Sequence, residues 1–172
     1  MLRRRKKEHP EPATAEAPWR SRVDEARALI RSSESPSWVD GSLDEVDRSI
    51  DEIERGLLAA EADREKLAAA IAQLDPDRAR RELKDALRSG AAAEDRLDML
   101  RRRHDAVNDL MNRRERLGER IDTAVIDLEL LAVRAVEAGT GASSRDSVDE
   151  QLGRLRDDLR ALETAHEELQ DL

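Results

Sequence analysis

Glu163 and His166 stand three residues apart, the spacing that puts a carboxylate and an imidazole on one face of a helix and that recurs in di-iron bundles. Such a centre takes two Glu-x-x-His copies and two further glutamates. This chain has one copy, because the residue three before His104 is Arg101. His166 also falls on an apolar stripe. We read it, and His104 behind its three arginines, as structural side chains, and expect no metal and no cofactor. The chain has no Cys and no Tyr. Gly139-Thr140-Gly141 reads as a helix stop and not as a phosphate loop. Carboxylates abound, yet a catalytic pair needs a cleft that thin bundles seldom provide. The chain therefore reads as a non-enzyme, with no catalytic residue to name.

A second chemistry is electrostatic. Arg3, Arg4, Arg5, Lys6 and Lys7 open a chain whose net charge is −9. Near an anionic membrane each basic side chain contributes about 1 kcal/mol, enough for weak, salt-sensitive adhesion. Firm anchoring needs another contact, and Trp19 offers one: with Val23, Ala26 and Ile30 it opposes Arg20, Arg27 and Arg31 in a short amphipathic pattern. The competing and favoured reading docks Trp19 and Trp38 on the bundle as its only large rings. Nucleic acid is not an expected partner, since the acidic body repels phosphate and aromatic stacking platforms are missing.

The elements that must carry these residues follow from composition and period. Of 172 residues, 41% are charged, Phe and Tyr are absent and there are two Trp. A compact globule of this size buries more rings, so this chain must bury narrow helical seams. The fold class expected is all-α: an elongated antiparallel helical hairpin or coiled coil, completed by self-association.

Residues 1–17 read as a flexible basic, then Pro-rich tail, and 18–41 as a short amphipathic helix and loop. From Ser42, paired with Glu45 in a capping box, Leu43, Val46, Ile50, Ile53, Leu57, Leu67, Ile71 and Leu74 hold an a/d register for over four heptads, with Arg64 the one polar seam position. Asp75-Pro76 breaks it, and we read a chain reversal there. The partner helix is expected to run to Ala138, notched at Ser89-Gly90. Leu97, Leu100, His104 and Val107 form its first seam, and Leu117, Ile121, Leu128 and Leu131 its second, with a stammer between Met111 and Leu117. The hairpin thus spans 42–138, a Gly/Ser loop 139–147, and a last helix 148–172. That helix is capped by Ser147 and Glu150 and packs back through Leu152, Leu155, Leu159, Leu162 and Leu169.

Reversal at Asp75-Pro76 sets Asp47 near His104 and Glu54 near Leu97, so that the acids face Arg96, Arg101, Arg102 and Arg103. Two helices side by side leave apolar surface wet, which predicts a homo-oligomer of four or more helices.

No stretch approaches the roughly 18 apolar residues of a membrane span, and the basic start leads into Pro and Glu instead of a signal sequence. The expected location is cytoplasmic, with the inner face of the membrane as the site of any lipid contact. The architecture is similar in pattern to the phage-shock and vesicle-remodelling hairpin proteins, without a shared motif. Trp38-Val39-Asp40-Gly41 departs from the Trp-x-Gly of exported helical hairpins; membership of neither family is assigned. The function expected is a coiled-coil scaffold mediating homo-oligomerisation and protein–protein contact, with a peripheral membrane-binding module as the alternative.

Overall fold

A computed structural model describes residues 17–33, 42–90, 93–141 and 145–170. Among them every regular element is a helix: α1 (Pro18–Ser32), α2 (Ser42–Leu74), α3 (Pro76–Ser89), α4 (Glu94–Gly139) and α5 (Arg145–Gln170). Pro18 suits the first turn of α1, where its missing N–H costs nothing. The heptad positions of α2 become its buried side: Val46, Ile50, Ile53, Leu57, Ala60, Leu67 and Ile71.

Asp75 sits in the left-handed region at φ 49° and ψ 80°. Its carboxylate accepts the Arg78 amide at 3.0 Å, capping α3, with Pro76 following at the first helical position. This interruption bends the rod without reversing it. Arg103 of α4 donates both to the Leu74 carbonyl at the end of α2 and to Glu82 within α3. Further along, a β-carbon on Gly118 would stand 3.8 Å from Arg64. These pairings converge on Gly90, whose φ of 61° ends α3. The reversal expected at Asp75-Pro76 therefore lies at Gly90, and the helix expected to run through Ser89-Gly90 is two helices. The physical reason is that a capped Asp in the left-handed region absorbs one residue of kink, whereas Gly90 makes the full stop without a side-chain penalty.

With the turn moved, Asp47 and Glu54 do not meet His104 and Leu97. They face α1 instead: Arg31 reaches Asp47 at 3.3 Å, and Arg27 reaches Asp51 at 2.7 Å and Glu54 at 3.1 Å. Helix α1 runs antiparallel to α2 and parallel to α4, where Arg22 forks onto Glu129 at 2.7 and 2.8 Å. Helix α5 runs back along α4, from Gln151 beside Asp127 to Arg120 on the Ala161 carbonyl. It starts at Arg145, so Ser147 lies inside its first turn instead of capping it.

One chain thereby builds a bundle of α1, α2, α4 and α5 around Ile50, Leu57, Leu128, Leu131 and Leu155. Trp19 belongs to this core and is 5% exposed. The four-helix body that sequence reasoning assigned to several copies is supplied within a single one. Helix α3 adds no residue to that core. It pairs with the first half of α4 as a thinner two-helix extension, in which Ala79 and Val107 are buried.

Candidate interaction surfaces

The predicted seam splits three ways. Val46, Ile50, Ile53, Leu57, Leu67, Ile71, Val107, Leu117, Ile121, Leu128, Leu131, Leu152, Leu155 and Leu162 are buried inside the chain, while Leu74, Leu97, Leu100 and Leu159 are half-buried. The side chains of Leu43 and Leu169 lie outside the described residues, as do Arg3, Arg4, Arg5, Lys6, Lys7 and Trp38. Trp19 points into the core and so is not a free membrane contact; only Arg20 lies over its ring, 5.7 Å from the centroid. Its indole Nε1 is buried with no hydrogen-bond acceptor.

Polar groups between the helices set their register. His166 Nδ1 and Lys66 both hold Asp63, which is 3% exposed. Burial pushes the Asp63 carboxyl up, but the hydrogen bonds from His166 and Lys66 outweigh it and leave it below the usual carboxylate range. The seam histidine thus aligns α5 on α2, and Glu163 one turn earlier is exposed. On the flank of α5 toward α4, Gln151 donates to the Asp127 carboxylate at 3.0 Å, and Asp158 stands beside that same carboxylate. Burial first, then Asp127 and Asp157, push the Asp158 carboxyl up to about 6. Arg22 holds Glu129 below its ordinary range, and Arg78 does the same for Glu82. The pairs Asp63–His166, Asp127–Gln151 and Glu129–Arg22 tie neighbouring helices together. Among the described residues no group of three His, Cys, Asp or Glu is placed to hold a metal ion, and no helix is long and apolar enough to cross a membrane.

Among the described residues two apolar surfaces are left uncovered. On the outer face of α4, Ile126, Leu130 and Val133 follow one another at helical spacing with 44–48% exposure. They lie opposite the buried Leu128 and Leu131, so this part of α4 carries a second apolar stripe, rimmed by Asp127 and Glu129. On the extension, Leu87 is 53% exposed beside the half-buried Leu83. An open cleft of about 410 Å³ there is lined by Arg80, Leu83, Lys84, Leu87, Arg88 and His104. Sequence reasoning missed Ile126, Leu130 and Val133, although their spacing of four and three is visible in "IDLELLAVRAV"; the stronger seam through Leu128 and Leu131 masked them.

Compared with known protein families, with curated proteins and with solved structures, the chain matches none.

Proposed function

We propose that this protein is a non-enzymatic coiled-coil scaffold of the cytoplasm that self-associates and presents helical faces to other proteins. The observation that carries the proposal is the second apolar face of α4. A contiguous exposed aliphatic stripe rimmed by polar residues marks an interaction surface. The buried seam is spent inside the chain, so self-association falls to Ile126, Leu130 and Val133. Charge does not oppose a second copy: beyond the stripe Arg134 and Glu137 already pair at 2.8 Å, which leaves that end neutral. A two-fold axis near Leu130 runs the two α4 helices antiparallel and keeps the acidic ends, Glu119 and Asp122, apart. The burial of Trp19 removes the apolar anchor from the membrane alternative, and the five basic residues alone give only weak adhesion. Sedimentation equilibrium of the native chain and of Leu130→Glu tests the proposal.

A further inference from the structure

The two-helix extension differs from the body in charge as well as in thickness. Between Pro76 and Gly118 the chain carries twelve Arg and Lys against nine Asp and Glu, although the whole chain is −9. Of these nine acids, Glu82 pairs with Arg78 and Arg103, and Asp98 with Arg101. Among the described residues Arg80, Lys84 and Arg88 have no acidic partner. They stand one turn apart along α3, at the rim of the cleft whose apolar lining is Leu83 and Leu87 and whose far wall is His104. In the body α4 is flanked by α1, α2 and α5; beside α3 it has a single neighbour.

We propose that this cleft is a docking site for an acidic amphipathic helix of a partner protein. The apolar lining asks for an aliphatic stripe at helical spacing, and the three cations ask for carboxylates one turn apart along its flank. A partner helix matching α3 in length would have about fourteen residues, or roughly 20 Å. A bilayer fits less well, because the site is concave. A second copy of this same face is disfavoured by its own unpaired cations. The inference is independent of the self-association proposed above, which uses the other half of α4.

The test uses the full chain and a fluorescent three-heptad peptide with Leu at its a and d positions and Glu at both flanks, beside a matched peptide with Lys flanks. The Glu peptide should bind, more weakly as salt rises, and the Lys peptide should not. The triple variant Arg80→Glu, Lys84→Glu, Arg88→Glu, and separately Leu87→Ser, should each weaken binding, the triple roughly tenfold or more, with unchanged circular dichroism. On the native chain, carbodiimide should join the bound Glu peptide to Lys84 and not to Lys66. No binding, equal binding of both peptides, or coupling at Lys66 alone would overturn the proposal. So would a triple variant that leaves peptide binding intact. Loss of sedimentation with phosphatidylglycerol vesicles, or of oligomer mass, in the triple variant without any peptide binding reassigns the cleft to lipid or to a second copy, and equally overturns it.

Discussion

Leu159 of α5 fills the space in which a β-carbon on Gly56 of α2 would lie. The two helices close up at this point, with Leu155 and Leu162 buried on either side. Alanine at 56 adds helix propensity worth about 0.5–1 kcal/mol but displaces Leu159. Leu159 Cδ1 is the free end of a half-buried side chain that can turn aside, so Gly56→Ala should change stability by under about 0.5 kcal/mol in urea unfolding. In a Leu159→Ala background the same change should stabilise it by about 0.5–1 kcal/mol. Equal effects in the two backgrounds would show that the helices do not approach here.

The Asp158 carboxyl titrates at about 6 in the folded chain, against roughly 3.9 when unfolded. A pKa raised by folding means stability that is fully present below about pH 4 and is lost as pH rises through 6. Asp158→Asn keeps a donor for Asp127 and removes the charge. It should raise stability by about 2 kcal/mol at neutral pH and change little at pH 4, read from unfolding curves at both.

Asp63 has the opposite sign. Its lowered pKa contributes stability above the unfolded value of roughly 3.9, lost as pH falls through the lower folded value. Asp63→Asn should cost about 2 kcal/mol at neutral pH, since it strips a buried acceptor from His166 and Lys66. Lys66→Ala, at the exposed end of the same contact, should cost under about 0.5 kcal/mol. Chemical denaturation at pH 7 separates the two.

The place of the reversal is checked by distance. With the chain turning at Gly90, spin labels at Lys66 and Arg116 should lie about 10 Å apart across neighbouring helices. Labels at Lys66 and Asp85 should lie about 25–30 Å apart along the bent rod, at 1.5 Å per residue. A turn at Asp75 would bring Lys66 and Asp85 together. Gly90→Ala, at φ 61°, should also cost about 1 kcal/mol.

The all-helical class was legible because Val46, Ile50, Ile53 and Leu57 recur at intervals of three and four in a chain almost without rings. Breaks at Pro76 and Gly90 were visible as residue types, but which one reverses the chain was not. Pro at a first helical turn serves a kink and a hairpin equally, and the left-handed conformation of Asp75 is decided by its own cap. The partner of the acidic flank was misplaced with the turn, because Arg27 and Arg31 of α1 compete for Asp47, Asp51 and Glu54 with arginines that looked nearer. The pairing of Asp63 with His166, and the crowding of Asp127 against Asp158, depend on the lateral order of helices. Periodicity along one chain does not encode that order.

The central claim is that the outer stripe of α4 joins two copies, and mass in solution tests it most directly. Sedimentation equilibrium should return about twice the 19.4 kDa chain mass for the native protein, and the single-chain mass for Leu130→Glu with its helicity retained. A native protein that stays at 19.4 kDa at every concentration, or a Leu130→Glu variant that assembles as the native chain does, would contradict the account.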